Sequence, residues 1–294
     1  MKKYRYECIA PFEKATPHRF VVANRTWEIN GAYMRQVLPA SSDGQAKLGV
    51  LSAIKDGSSE TQGNLHTFFD WFRSQRVDAV VVNGDLALNE DDLEAVLKEV
   101  AKSGFLVFVL PGNSESKGSF SRATRHLAST YPNLINMSYV RHVRADDFQL
   151  VSLPGYHDRR FLSVGSGCLY KKRHVDQVLM DFQPNQLDDL ILVAHGPPRG
   201  EGKHALDWVA DKKNVGDPQL NRVLKAHQIR FGIFGHILES GGRRVGSDLK
   251  TPLKPKPFSP FLYINAGSAN SLPWIMNNEK ILKGMAAIFH LKAG

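Results

Sequence analysis

The sequence predicts an α/β fold with parallel strands at its centre. Between residues 48 and 131, a short apolar run, a polar turn and a helical apolar pattern follow one another three times. This order is typical of βαβ units, whose central strands are buried on both faces. In addition, a chain of 294 residues with 42% hydrophobic residues can bury the core of one large domain.

The first half of the chain contains the clearest elements. We predict strands at residues 48–52, 77–82 and 105–110, and helices at residues 65–76, 90–100 and 121–131. The acidic residues 90–92 suit a helix N-terminus, and Leu93, Val96 and Val100 then recur on one face. Ligands of parallel sheets bind beyond the carboxyl ends of the strands, so the turns after these strands are the candidate functional positions.

The second half is less regular. Strands are expected at residues 148–153, 190–194, 231–234 and 261–264. The polar stretch 154–177 is predicted to be a loop or lid, and the basic groups at 159–160, 171–173 and 243–244 are interpreted as loop residues. We assign residues 1–45, which include the strand-like HRFVVANRTWEIN, to an N-terminal β addition packed on a main domain at 46–294.

Composition narrows the class of protein. Lys and Arg outnumber Asp and Glu by 38 to 29, and the formal charge of +9 favours phosphoesters, nucleic acid or acidic protein surfaces as partners. The sequence has no apolar run of membrane-span or signal-peptide length, so a cytoplasmic location without a membrane span is expected. Cys8 and Cys168 lie far apart in the sequence and are interpreted as buried or free thiols.

Short polar motifs follow the predicted strands in a fixed order. After the turn at residues 53–60 come Asn83-Gly84-Asp85, Pro111-Gly112-Asn113, Ala194-His195-Gly196, Phe234-Gly235-His236 and Asn265-Ala266-Gly267-Ser268. Each motif alone is an ordinary turn, and each histidine alone is explained by a hydrogen-bonded core position. Together they resemble the signature of the calcineurin-like metallophosphoesterases, written D-x-H, GD, GNH-D/E, H and GH-x-H, from about residue 48 to residue 291.

The resemblance implies a sandwich of two mixed β-sheets flanked by helices, with the site where the strand ends converge. In that family two divalent ions share the aspartate of the GD motif and a bridging water that attacks phosphorus. Carried over residue by residue, the ligands of the second metal are Asp85, Asn113, His195 and His236. This set of oxygen and imidazole donors suits Mn, Fe, Zn or a similar ion.

The ligands of the first metal are missing. The resemblance places Ala53 and Lys55 at the aspartate and histidine of D-x-H, and Leu238 at the last histidine of GH-x-H. Ser114 stands at the histidine of GNH, so the resemblance implies that the family's usual acid or transition-state stabiliser is missing as well. We therefore expect at most one divalent ion. The Lys55 ammonium is expected beside Asp85, where it replaces the lost charge and attracts a phosphate oxygen, with Asn113 and His195 completing the phosphate site. Rescue by the neighbouring carboxylates Asp56 or Glu239 is the alternative.

Three functions follow from this pattern. The first is a divergent family member, close to a pseudoenzyme, that binds a phosphorylated small molecule or a phosphodiester, or a protein, with weak or no hydrolysis. The second is a mononuclear phosphomonoesterase or phosphodiesterase that uses the intact half-site. The third is a nucleic-acid-binding protein that uses its basic surface, which a steep salt dependence of binding would reveal. Residues 156–161 and the connector 203–224 are further candidates for the rim of the pocket.

Overall fold

The computed structural model describes residues 8–38, 42–180, 189–255 and 258–292. In chain order the strands are His18–Val22 (β1), Arg25–Asn30 (β2), Tyr33–Leu38 (β3), Gln45–Leu51 (β4), Ala79–Asn83 (β5), Val107–Leu110 (β6), Leu134–Asn136 (β7), His142–Arg144 (β8), Gln149–Leu153 (β9), Leu190–Ala194 (β10), Trp208–Val209 (β11), Lys213–Asn214 (β12), Phe231–Phe234 (β13), Arg244–Val245 (β14), Leu262–Asn265 (β15), Trp274–Ile275 (β16), Ile281–Leu282 (β17) and Ala287–Lys292 (β18). The helices are Ser59–Ser74 (α1), Glu90–Lys102 (α2), Lys117–Ala128 (α3), Lys172–Met180 (α4) and Pro218–Ala226 (α5), and 3₁₀ turns lie at Arg159–Phe161 and Leu238–Ser240.

Two mixed sheets form the centre of the molecule. The smaller sheet has the order β18-β4-β5-β6-β7; β4 to β7 are parallel and β18 is antiparallel to β4. The larger sheet has the order β1-β2-β3-β8-β9-β10-β13-β15-β14, and β9, β10, β13 and β15 are parallel. Every residue of β5, β6 and β10 is buried, as the continuous apolar runs AVVV, VFVL and LILVA require.

The sheets pack face to face with helices outside. Leu48, Phe108 and Leu110 of the smaller sheet share one core with Leu150 and Val193 of the larger sheet. A second core lies between the smaller sheet and α1 to α3, and a third lies between the larger sheet, α4 and α5. The predicted sandwich of two mixed sheets flanked by helices is therefore confirmed.

Helix α2 begins at Glu90 as predicted, whereas α1 and α3 begin earlier than the apolar spacing indicates. α1 starts at Ser59 because the Ser58 side chain accepts the Thr61 N–H, and α3 starts at Lys117 because Ser116 accepts the Ser119 N–H. Such caps are polar, so the apolar periodicity of the sequence does not include them.

The predicted loop at 154–177 is wrong in its second half. Helix α4 begins at Lys172, and Val175 and Val178 pack on the larger sheet. Lys172 and Arg173 therefore belong to the first turn of a helix, and Arg244 belongs to β14, although all three were expected in loops. Helix α4 is too short for the helical period of its apolar residues to be recognised in the sequence.

The two cysteines are paired, which corrects the expectation of separate thiols. Cys8 and Cys168 form a disulfide with their Cα atoms 5.5 Å apart across a sequence separation of 160 residues. The N-terminal segment reaches Cys168 because Ala10 pairs with Ser138 and with the guanidinium of Arg141. A contact between residues so far apart in the chain leaves no local pattern in the sequence.

Strands β1 to β3 lie at one end of the larger sheet and join it through the parallel pair β3 and β8. Their placement suits an N-terminal β addition, while the division at residue 45 remains a prediction. Within the described ranges, no helix is long and apolar enough to cross a membrane.

Candidate metal centre

The candidate site lies at the carboxyl ends of parallel strands from both sheets. Asp85 follows β5, Asn113 follows β6, His195 follows β10 and His236 follows β13. Since the two sheets face each other, these turns meet at one edge of the sandwich. The structure thus brings together all four residues that the sequence assigns to the second metal.

Glycines allow the turns to approach closely. A Cβ on Gly84 would lie 2.5 Å from His195 Nδ1, and a Cβ on Gly112 would lie 2.5 Å from Asp85 Oδ1. Gly84 also has a φ of 75°, which favours a residue without a side chain. The glycines of the GD and GN motifs are therefore required by packing at the site.

The orientation of His195 is fixed by its neighbours. The ring is fully buried, and Nδ1 lies 2.9 Å from the Asn83 carbonyl, which accepts a hydrogen bond from it. Nε2 then faces two oxygens, Asn113 Oδ1 at 2.9 Å and Asp85 Oδ1 at 3.3 Å. The Asn113 amide donates to the Phe161 carbonyl over 2.7 Å, which directs its Oδ1 towards the histidine.

This arrangement needs a positive charge. With Nδ1 protonated, a neutral His195 would present its Nε2 lone pair to two oxygen acceptors, so either a proton or a metal ion must lie between them. Burial alone lowers the pKa of His195, but the charge of Asp85 outweighs burial and raises it. The distances from His195 Nε2 to the two oxygens are 2.9 and 3.3 Å. They match the roughly 3 Å that separates neighbouring ligand atoms when each ligand atom lies about 2.1 Å from a metal ion.

His236 adds a fourth donor. One ligand atom each from Asp85, His195 and His236 lies within 4.8 Å of the others. His236 Nδ1 is buried and has no hydrogen-bond partner among the described residues. Burial and the neighbouring His195 lower the pKa of His236 to about 3, so its imidazole is neutral and able to bind a metal. The residues present therefore fit one divalent ion.

Lys55 occupies the other side of Asp85. Its Nζ lies 3.3 Å from Asp85 Oδ2, whereas Oδ1 of the same carboxylate accepts the Ser114 N–H over 3.2 Å. The Lys55 side chain is 36% exposed and Asp85 is 3% exposed, so the ammonium stands between the buried carboxylate and solvent. Burial alone raises the pKa of Asp85, but the charges of His195 and then Lys55 lower it well below its usual range.

Among the described residues, the positions where the family resemblance expects the ligands of the first metal carry no substitute donor set. Ala53 and Leu238 are buried, and the Ser114 hydroxyl lies 3.5 Å from the Ser163 hydroxyl. The Asp56 carboxylate accepts hydrogen bonds from Ser58 and from Asn270. The Glu239 carboxylate accepts the Ala210 N–H over 3.0 Å. These contacts hold both carboxylates in structural roles and give no support to their use as replacement ligands.

Glu115 is a site residue that was not singled out from the sequence. Its buried carboxylate accepts backbone N–H groups from the two loops that carry Asp85 and Asn113, namely Gly112 at 2.7 Å, Ala87 at 3.3 Å and Leu86. Burial, and then the charge of Asp85, raise the pKa of Glu115 to about 7. The family signature has an acidic residue directly after GNH, and this was the signal in the sequence for Glu115.

The segment after β9 covers the site from one side. The buried Tyr156 ring stacks on His236 with 4.0 Å between ring centroids, and Phe161 meets the same imidazole edge-on at 6.2 Å. Arg159 is exposed, in the 3₁₀ turn. The connector after His195 forms the β11–β12 hairpin, and a pocket of about 280 Å³ lies between this hairpin, Phe161 and His236.

Comparison with known proteins identifies a family for the chain and solved structures to which it is similar. The family model for calcineurin-like phosphoesterases matches residues 59–240. The protein TT1561 of Thermus thermophilus aligns with a TM-score of 0.53 and 12% identity, over 82% of this chain and 98% of that chain. A dimetal phosphatase from Danio rerio aligns with a TM-score of 0.49 and 13% identity, over 85% of this chain and 99% of that chain. No curated protein sequence matches the chain.

The layered sandwich and the donor cluster at its strand ends define a protein of the metallophosphoesterase class. Because the family model covers well over half of the sequence, the chain belongs to the calcineurin-like phosphoesterase family. Family membership implies divalent metals and phosphate-bearing substrates in general, and it leaves the number of ions and the ligand of this chain open.

Proposed function

We propose that the chain binds a phosphorylated small molecule or a phosphodiester at a site with one divalent ion, and that it hydrolyses this ligand weakly or not at all. The observation that carries the proposal is the 3.3 Å contact between Lys55 Nζ and Asp85 Oδ2. The ammonium lies at the carboxylate that family members share between two ions, so a side-chain cation stands in for the first metal.

Asp85, Asn113, His195 and His236 would hold the ion, which would be Mn, Fe, Zn or a similar metal. When bound, such an ion polarises a phosphoryl oxygen and stabilises negative charge on it. The protein fixes the ligand atoms: Asn83 orients the His195 ring, and Phe161 orients the Asn113 amide. Lys55, Asn113 and His195 then surround the place where a phosphate oxygen would bind.

Low turnover follows from the residues at the altered positions. A lysine ammonium attracts a phosphate oxygen but does not hold a hydroxide in place for attack on phosphorus. Ser114 stands where the family resemblance expects an imidazole to assist the leaving group, and a serine hydroxyl is a far weaker acid than imidazolium. The chain therefore keeps groups that bind phosphate and has lost groups that serve its hydrolysis.

A mononuclear hydrolase is the second candidate, because Asp85, His195 and His236 keep ligand atoms within 4.8 Å of one another. Nucleic acid and protein ligands remain alternatives that rest on the charge of +9 alone. The cytoplasmic location expected from the sequence stays a prediction. The Cys8–Cys168 disulfide weighs against it, since disulfides persist mainly in oxidising compartments.

The test combines elemental analysis with hydrolysis of a generic phosphodiester in the presence and absence of manganese. We expect one ion per chain, lost in His195→Ala, and turnover close to background. Binding of inorganic phosphate, followed by calorimetry, should weaken at least tenfold in Lys55→Met. Lys98→Met, which removes an exposed lysine on α2, is the charge-matched control and should bind phosphate normally.

Each result has a distinct meaning. One ion with substantial manganese-dependent turnover would favour the mononuclear hydrolase. Two bound ions would overturn the proposed site, because the proposal gives the position of the first metal to the Lys55 ammonium. Unchanged phosphate affinity in Lys55→Met would remove the role given to the ammonium.

A further inference from the structure

An exposed apolar hairpin lies apart from both sheets. We call residues 272–283 the apolar ribbon; it consists of β16, β17 and their flanking residues. Ile275 and Ile281 are each 67% exposed and Leu272 is 66% exposed. Trp274 is 43% exposed and Leu282 is 41% exposed. Five large apolar side chains within eleven residues form the kind of patch that marks an interaction surface.

Apolar side chains occupy both faces of the ribbon. Trp274 pairs with Leu282, and Ile275 pairs with Ile281. Directly opposed residues of an antiparallel pair lie on the same face, while successive residues alternate between faces. Trp274 and Leu282 therefore share one face, and Ile275 and Ile281 share the other. In ordinary hairpins of soluble proteins at least one face is polar, so this ribbon lacks a water-facing side.

The ribbon is held in a fixed position by polar contacts at both ends. At its turn, the Asn277 amide donates to the Trp208 carbonyl over 2.7 Å and to the Ser240 hydroxyl over 3.0 Å. At its base, Gly284 N–H donates to the Asn270 carbonyl over 3.0 Å. The exposure of its apolar side chains therefore belongs to an anchored element and not to a free tail.

The ribbon carries positive charge and adjoins the candidate metal centre. Lys280 and Lys283 are exposed on either side of β17, opposed by the single carboxylate of Glu279. Asn270, at the base of the ribbon, donates to the Ile54 carbonyl over 2.7 Å, next to Lys55. The apolar and basic surface is thus joined directly to the turn that carries the Lys55 ammonium.

We propose that the apolar ribbon docks the protein on an anionic lipid bilayer. The interfacial region of a bilayer surrounds a short inserted ribbon on both faces, whereas a globular partner covers one face and leaves the other in water. Trp274 suits the membrane–water interface, and Lys280 and Lys283 complement acidic headgroups. Docking does not depend on the proposed function, although it would bring phosphorylated headgroups towards Lys55.

The test is sedimentation of the full chain with vesicles of phosphatidylcholine alone or with about one third phosphatidylserine. We expect binding to the anionic vesicles. The pair Ile275→Ser with Ile281→Ser should lower the partition coefficient at least about tenfold. Lys280→Gln with Lys283→Gln should lower it about 25-fold on anionic vesicles only. Val21→Ser with Leu38→Ser removes two equally exposed apolar residues elsewhere and should bind as the wild type does.

A second measurement keeps the test independent of variant folding. Trp274 fluorescence in the unmodified chain should shift to shorter wavelength with anionic vesicles, and the shift should vanish in Trp274→Phe. Absence of both vesicle binding and the shift would overturn the proposal. Self-association that is lost in the isoleucine variant, without vesicle binding, would instead identify a second copy as the occupant. Metal content should stay unchanged in the ribbon variants, so failure of docking is separable from failure of the proposed metal site.

Discussion

Glu115 joins the two loops that carry Asp85 and Asn113. It has no place in the metal cluster, yet it accepts backbone N–H groups from Leu86, Ala87 and Gly112. Buried N–H groups without a partner cost about 1–3 kcal/mol each. The Glu115 carboxylate thus fixes the separation between the turns that carry Asp85 and Asn113. The site therefore depends on a residue that is not itself a metal ligand.

We expect Glu115→Ala to lower the free energy of unfolding by about 3–5 kcal/mol, because three buried donors lose their acceptor. Glu115→Gln should cost less, since its amide oxygen still accepts from one loop. Urea-induced unfolding of the two variants measures the difference. Equal stabilities of Glu115→Ala and the wild type would show that these hydrogen bonds do not hold the loops.

The same residue predicts a pH dependence in protein stripped of metal. Burial and Asp85 raise the pKa of Glu115 to about 7 from its ordinary value of 4.5, so the folded chain binds more protons than the unfolded chain between these values. The contribution of Glu115 to the free energy of unfolding is therefore fully present below pH 4.5 and is lost as pH rises through 7. Glu115→Gln should remove this contribution, seen as a difference in slope between the two stability–pH curves.

At the scale of elements, the turn after β4 bears on the proposed replacement of the first metal by Lys55. Ala53 has a φ of 50° and Lys55 has a φ of 70°, and the Ala53 and Lys55 N–H groups donate to the carbonyls of Gly84 and Asp85. The backbone therefore keeps a left-handed conformation that Asp adopts more readily than Ala. This shape suits the aspartate that the family resemblance expects at position 53.

Restoring three ligands and the histidine of GNH should create a second metal position. The variant combines Ala53→Asp, Lys55→His, Ser114→His and Leu238→His. It should bind two ions and raise turnover of a generic phosphodiester by at least about a hundredfold, because two ions would activate the attacking water better than one and the histidine at position 114 would assist the leaving group. Elemental analysis and the hydrolysis rate measure the two effects. Lys55→His alone is the control and should leave the ion count at one. A folded four-fold variant that gains neither ion nor turnover would show that the assigned ligand positions are wrong.

The sequence predicts the elements whose signals are local. Buried strands such as β5 and β10 are continuous apolar runs, and the polar turns after them carry Asp85 and His195. Because parallel strands end at one edge, the order of these turns also predicts that the side chains meet. The expectation that Lys55 lies beside Asp85 came from the resemblance to the family's D-x-H motif, and its Nζ lies 3.3 Å from Asp85 Oδ2.

Features that depend on distant contacts could not be predicted in this way. The Cys8–Cys168 disulfide joins residues that are 160 positions apart in the sequence. The role of Glu115 depends on three backbone N–H groups that only the fold brings to its carboxylate. The apolar ribbon resembles two ordinary short strands in the sequence, and its exposure depends on what the rest of the fold leaves uncovered. Local patterns carry no information on such packing.

At the scale of the whole molecule, the disulfide ties the N-terminal segment to the segment that covers the site. Cys168 accepts the Tyr156 N–H at its carbonyl over 2.9 Å, and the Tyr156 ring stacks on His236. In the N-terminal segment that contains Cys8, the Phe12 ring packs against the buried Arg141 guanidinium, whose Cζ lies 4.6 Å from the ring centroid. One covalent link therefore connects the start of the chain, the larger sheet and the candidate metal centre.

Loss of this link should destabilise the whole fold. Removing a cross-link over a long loop restores conformational freedom to the unfolded chain, and we expect Cys8→Ser with Cys168→Ser to lower the free energy of unfolding by about 2–5 kcal/mol. Urea-induced unfolding of the oxidised wild type, the reduced wild type and the double variant measures the effect. Reductant should shift the wild-type midpoint towards that of the variant and leave the variant unchanged. If reduction does not alter the wild-type midpoint, the segment around Tyr156 is held over His236 by packing alone, and the disulfide has no part in shaping the site.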